Sequence, residues 1–257
     1  PEDPEEKLDA IFFSPHKFLG GPGTPGVLIF NSKLYKNKIP DHPGGGTVDW
    51  TNPWGKHKFI EGIEAREDGG TPAFLQTIKT ALAITLKEKM GVKNIVEREE
   101  QLVNFVIDKL SKVNRLHVLA GNCRDRLGAI SFYAENIHYN LIVKLLNDKF
   151  GIQTRGGCSC AGTYGHFLLS VCPVQSKYIT DKIDDGDLSD KPGWVRVSLH
   201  PTMTDNEAAF LCNSIEETII NIDKWSLDYS YDVHRNEFFH KDFNDEKVFP
   251  INEWFSI

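Results

Sequence analysis

Three segments of this 257-residue chain carry side chains able to do chemistry, and a fourth could hold an anion for them. The first is Ser14-Pro15-His16-Lys17-Phe18-Leu19-Gly20-Gly21-Pro22-Gly23. A lysine where an apolar run meets a glycine-rich turn sits at a sheet rim, the usual place for ligands in α/β proteins. Its amine could form a Schiff base with an aldehyde held within reach, if its surroundings let it lose a proton. Ser14 and His16 beside it could hydrogen-bond a phosphate. Residue types alone favour a plainer reading, in which an exposed lysine follows a strand and the glycines make a turn.

The second segment is Thr154-Arg155-Gly156-Gly157-Cys158-Ser159-Cys160-Ala161-Gly162. Two thiols and an arginine on a flexible run are unusual for a core, and thiolate is the nucleophilic form that a guanidinium favours. Structural cysteines are the competing reading. A zinc site with His166 as third ligand is weaker, because Cys-x-Cys lacks the usual two-residue gap and no second cysteine pair exists. The third is Arg196, flanked by Val195 and Val197, where a half-buried guanidinium usually has an anionic partner, whether a substrate or an internal carboxylate. The fourth, Gly69-Gly70-Thr71-Pro72, opens a helix whose N–H groups and dipole could attract an anion, although it also reads as an ordinary helix start.

The elements that must position these residues alternate between α and β. Leu8 to Phe13 reads as a buried strand stopped at Ser14-Pro15, and Val27 to Phe30 as a second strand. Residues 31–71 lack a period and read as a long ordered loop region. A helix is expected from Pro72 to about Gly91, with Phe74, Ile78, Ala81 and Leu82 on one face. A second should span Val96 to Val113, with Leu102, Val106 and Leu110 stacked. A strand at Ala129 to Tyr133, a helix at His138 to Phe150 and a short strand at Gly151 to Thr154 follow. Next come a helix from Val174 to Ile183, an acidic loop from Asp184 to Pro192 and a strand from Trp194 to Leu199. Thr204-Asp205-Asn206-Glu207 is a capping box for a last helix with Leu211, Ile215, Ile219 and Ile222 on its apolar face. Beyond Trp225 the chain is aromatic and charged without a clear period.

Composition narrows the function classes. The chain is 40% hydrophobic and 25% charged, as in ordinary globular proteins. Its formal net charge of −7 argues against a nucleic-acid partner. No apolar run approaches the roughly 20 residues of a membrane span, and no signal segment is visible. Five cysteines without a scaffold spacing read as reduced thiols, which suits the cytoplasm.

In order and spacing, the four segments resemble the class V group of fold-type I pyridoxal-phosphate (PLP) enzymes, closest to cysteine desulfurases and selenocysteine lyases. The resemblance rests on the Ser-x-His-Lys segment with its Gly-Pro-x-x-x-Gly turn and on Gly44-Gly45-Gly46. The Gly-Thr-Pro helix start, the Arg-x-x-x-x-Cys loop and the late strand arginine complete it, from about residue 8 to 224. It implies an α/β fold made of the end of a PLP-binding large domain (1–90), a small α+β carboxy-terminal domain (91–225) and a tail (226–257).

It further implies that Lys17 carries PLP, that Ser14 and His16 hold its phosphate, and that Thr71 reaches the phosphate of a neighbouring subunit in a homodimer with shared active sites. Arg196, with Arg155 nearby, would clamp the carboxylate of an amino-acid substrate. Cys160, or else Cys158, would take sulfur from L-cysteine and pass it to an acceptor. The alternatives are a class V aminotransferase or lyase without a cysteine nucleophile, and a noncatalytic interaction module. The partners of the PLP ring cannot be assigned in this chain, which implies a carboxy-terminal piece of a longer enzyme and leaves open whether it holds PLP alone.

Overall fold

The strand before the lysine turn is shorter and more exposed than its composition suggests. In the computed structural model, which describes residues 4–243, β1 (Ala10–Phe13) pairs antiparallel with β2 (Val27–Phe30). Phe13 stands opposite Val27 and Ala10 opposite Phe30. The expected burial of this strand is wrong: Ile11 is 45% exposed and Phe12 84%. These two strands form a sheet of their own, and two strands cannot bury their own faces.

The chain falls into two compact units that divide between Val92 and Lys93. In the first, residues 31–71 are not one irregular loop. They contain a hairpin of β3 (Val48–Thr51) and β4 (His57–Phe59), followed by the short helix α1 (Ile63–Glu67). The hairpin turns on Asn52, whose side-chain oxygen accepts from the N–H groups of Trp54 and Lys56, and on Gly55 with φ 79°. Strands this short, carrying Asp49 and Lys58 as an ion pair, give little alternation to read. Helix α2 (Phe74–Met90) starts two residues after Pro72 and ends at Gly91, whose φ of 81° few other residues tolerate. Its apolar positions Phe74, Ile78 and Leu82 are exposed, and Thr80 and Ala83 are the buried ones.

The second unit has a continuous core. Helix α3 (Val92–Leu110) begins earlier than the pattern suggests and buries Leu102, Val103, Val106, Ile107 and Leu110 on one side. A four-stranded antiparallel sheet has the order β5 (Leu116–Val118), β6 (Ala129–Ala134), β8 (Trp194–Ser198), β7 (Arg155–Gly157). Strand β5 was not anticipated, and β7 lies just after the expected stretch Gly151 to Thr154. Gly151 is a left-handed helix cap (φ 67°), so the chain is still leaving α4 (Tyr139–Phe150) there. Helices α5 (Gly162–Leu168) and α6 (Pro173–Asp184) follow β7, the first of them inside what the glycines suggested was a turn.

Helix α7 (Asp205–Trp225) carries the predicted capping box. The Thr204 hydroxyl accepts from the Glu207 N–H, and the Glu207 carboxylate accepts from the Thr204 N–H. Ile142, Leu145, Phe132, Val195 and Ile215 are all inaccessible to solvent. Each such side chain contributes about 1.5–3 kcal/mol by leaving water. Of the expected tail, residues 244–257 lie outside the described residues; before them, the chain after Trp225 forms a hairpin of β9 (Tyr229–Asp232) and β10 (Glu237–His240) against α4. The acidic loop is an internal clamp: Asp187 and Asp190 both pair with Lys182, and hydrogen bonds from Ser189, with Lys182 adding to them, hold the Asp187 carboxyl down at about 2.

Candidate functional site

The Lys17 segment is one turn of 3-10 helix, Pro15–Lys17, following Ser14. Pro15 is buried and anchors the turn, while Ser14, His16 and Lys17 are exposed. Gly21 explains the glycine pair. A Cβ there would run into the Pro15 and Phe18 carbonyl oxygens, and the Gly21 N–H donates to the Phe18 carbonyl at 2.9 Å. The result is an amine, a hydroxyl and an imidazole side by side on a rigid turn. None of the three makes a side-chain hydrogen bond or ion pair among the described residues. That donor set fits a ligand bearing an aldehyde and a phosphate.

Two other motifs of the first unit meet in space. The Gly70 N–H donates to the Gly45 carbonyl at 2.8 Å, and a Cβ on Gly69 would lie 2.8 Å from the His42 carbonyl oxygen. Buried Thr47 ties the loop by bonding Gly44 in both directions. Thr71 leaves this junction exposed, ahead of α2.

In the second unit, the strand register builds the site. Arg155 of β7 stands directly opposite Arg196 of β8, and Ser131 of β6 stands opposite Arg196 on its other side. All three side chains therefore project from one face of the sheet. The other face carries Val195, Val197, Ile130 and Phe132 into the core. Like charges directly across a ladder oppose folding unless something negative joins them. No internal carboxylate does so: Arg196 makes no ion pair among the described residues, and its buried Nε has no hydrogen-bond partner. The expected anionic partner is thus not part of the described chain, and the face is chemically suited to a carboxylate.

The two cysteines sit in opposite surroundings. Arg155 Nη2 donates to Cys160 Sγ at 3.1 Å, and Cys160 is exposed. Cys158 is half-buried, its Sγ donates to the Pro192 carbonyl at 3.1 Å, and burial pushes its thiol up from the ordinary value. Ser159 and Cys160 take φ of 51° and 66°, while the Ala161 N–H closes a turn on the Cys158 carbonyl at 2.8 Å. Side chains other than Gly and Asn rarely hold that geometry, and such strain concentrates at functional sites.

Glycines let β7 lie close to its neighbours. A Cβ at Gly156 would strike the Asn140 side chain and Tyr139, and one at Gly193 would lie 2.6 Å from the Tyr139 ring. His166 is occupied, bonding the Gly162 carbonyl and the Ser176 hydroxyl. No group of three or more His, Cys, Asp or Glu side chains is arranged to hold a metal among the described residues. Ser131 and the Pro192 carbonyl were missed from sequence. Ser131 is one polar position in an alternating strand, and a carbonyl leaves no mark in residue type.

The model of the family described as aminotransferase class-V matches residues 5–211. A probable cysteine desulfurase of Staphylococcus aureus (strain COL) is 27% identical over 184 residues, covering 71% of this chain and 44% of that protein. The crystal structure of the cysteine desulfurase CsdA from Escherichia coli superimposes with a TM-score of 0.66 at 22% identity, covering 83% of this chain and 46% of that one. The apo cysteine desulfurase of Thermococcus onnurineus NA1 gives a TM-score of 0.61 at 26% identity, covering 83% and 47%. This mixed α/β fold matches part of the fold of these cysteine desulfurases, which are fold-type I PLP enzymes. The chain belongs to the class V aminotransferase family, a family of PLP-dependent enzymes, and within it the similarity runs to cysteine desulfurases. It spans about half the length of the relatives it matches. No helix among the described residues is long and apolar enough to cross a membrane.

Proposed function

We propose that this chain supplies the cofactor lysine, the substrate clamp and the sulfur-accepting cysteine of a PLP-dependent cysteine desulfurase. The observation that carries the reading is the Arg155 guanidinium on Cys160 Sγ at 3.1 Å, with Arg196 across the ladder. The names of the similar proteins point the same way.

Lys17 would hold the cofactor, and Ser14 and His16 would bind its phosphate. PLP, when bound, supplies an electron sink for the bonds around the substrate Cα. The Arg196 guanidinium, assisted by Arg155, takes the substrate carboxylate and fixes its orientation. Lys17 Nζ carries the α-proton. Cys160 Sγ bonds to the substrate sulfur as the C–S bond breaks, which leaves a persulfide on Cys160 and releases alanine after protonation. Cys158 is the poorer nucleophile, because its thiol is sheltered and committed to the Pro192 carbonyl. The first unit serves as the end of the PLP-binding large domain and the second as the small carboxy-terminal domain. The protein works as a cytoplasmic homodimer in which Thr71 reaches the neighbouring subunit's cofactor phosphate, and an acceptor then collects the sulfur.

The test is made on this chain and on the complete product of its gene. PLP is added, the adduct is reduced with borohydride and the labelled peptide is mapped. Stoichiometric label on Lys17 is expected. Label scattered over other lysines in both samples would refute the cofactor assignment. L-cysteine turnover should add one sulfur to Cys160 and stop in Cys160→Ala. Undiminished turnover in that variant would shift the reading to an aminotransferase or lyase with no cysteine nucleophile.

A further inference from the structure

Desulfuration needs one thiol, yet the turn after β7 presents two, Cys158 and Cys160, one residue apart. Their surroundings divide the labour of a thiol pair. Cys160 is exposed and receives the Arg155 N–H, so a positive charge stands at its sulfur. Cys158 is sheltered, with its proton directed at the Pro192 carbonyl and its sulfur beside Gly165, where a Cβ would meet it at 3.2 Å. Both residues lie in the tight turn closed by the Ala161 N–H on the Cys158 carbonyl. Two successive peptide units bent in this way bring the Cα atoms to roughly 5–6 Å, inside the span of a disulfide. An exposed thiol with a guanidinium at its sulfur, beside a second thiol, is the arrangement that responds to peroxide.

We propose that Cys160 and Cys158 form a peroxide-responsive pair, in which Cys160 is oxidised first and Cys158 resolves it as an intrachain disulfide. The Cys160 sulfur attacks one peroxide oxygen. An S–O bond forms, the O–O bond breaks, and the leaving oxygen takes the thiol proton and departs as water or an alcohol. The Cys158 sulfur then attacks the oxidised sulfur, an S–S bond forms, and the hydroxyl leaves as water with the Cys158 proton. The two thiols lose two electrons in total and the hydroperoxide gains them. Closing the bridge requires Cys158 to release the Pro192 carbonyl and swing out of its packing. The step uses no PLP and goes beyond the desulfurase reading, with which it competes for Cys160.

The chain is treated with hydrogen peroxide without PLP, alkylated, and digested without reduction. Cleavage after Arg155 leaves Cys158, Cys160 and Cys172 on one peptide, so fragment ions assign the bridge and a Cys172→Ala chain confirms it. The expected peptide is lighter by the two thiol hydrogens, with Cys172 alkylated and little dimedone-trapped sulfenic acid. In Cys158→Ala the bridge is lost and the dimedone adduct on Cys160 rises severalfold. The proposal fails if unaltered chain keeps a dimedone-reactive Cys160 with no bridge, or if Cys160 bridges to Cys172 instead. Because the wild-type pattern is decisive alone, a poorly folding variant does not shield the idea. Failure here would leave the Lys17 and persulfide tests untouched.

Discussion

At the scale of single residues, charge placement rather than residue type separates the groups able to react from those that merely resemble them. Arg155 and Arg196 face each other with no carboxylate of the described residues between them, so a substrate carboxylate would relieve a repulsion as well as make hydrogen bonds. Hydrogen bonds to charged groups are worth about 1.5–3 kcal/mol, so Arg196→Ala should lower kcat/KM for L-cysteine by roughly 10- to 100-fold. The loss should appear mainly in KM if the guanidinium binds ground state and transition state alike. An unchanged kcat/KM would remove Arg196 from the substrate clamp. The same reasoning distinguishes the cysteines, which composition treats as equals. One has a guanidinium donor and solvent, the other a carbonyl acceptor and a buried wall.

At the scale of elements, local codes are read correctly when their partners are near in sequence. The capping box of α7 is written within four residues and is formed as read. Hydrogen bonds from Thr204 hold the Glu207 carboxyl below the ordinary glutamate range. A depressed folded-state value means this stabilisation is complete above the unfolded value and is lost as pH falls through the lowered one. Thr204→Ala should destabilise the second unit by about 1 kcal/mol at neutral pH. In Glu207→Gln the drop in the urea midpoint between neutral and acidic pH should shrink, because the group that titrates there is gone. An unaltered pH dependence would show that the box is not coupled to stability. The misread elements are short ones. Strand β5 has three residues, the β3–β4 hairpin carries charges on both arms, and α5 hides in a glycine-rich run, so none shows a period long enough to detect.

At the scale of the whole molecule, the two units differ in how much they bury. Among the described residues of the first unit, Ala83 is the one buried side chain of the nonproline apolar set. The second joins α3, α4, α7 and its sheet in one cluster. Local opening is easiest where few apolar contacts oppose it. Hydrogen exchange should therefore be slowest in α4, α7 and β6, and faster by orders of magnitude in β1 and β2. Equal protection in the isolated chain would mean that the exposed faces Ile11, Phe12, Leu28 and Ile29 are covered in solution.

The sequence by itself determined the order of the reactive segments, the helices that start at caps and end at glycines, and the family to which the motifs belong. Each of those depends on residue type and short spacing. What only the tertiary structure decided is nonlocal. The ladder register set Arg155 against Arg196, since a shift of one residue in β7 would turn its arginine to the opposite face. Burial and a carbonyl from residue 192 made Cys158 unlike Cys160. Ile11 and Phe12 of the apolar strand β1 stay exposed among the described residues, because burial depends on what packs against a strand and not on the strand's composition.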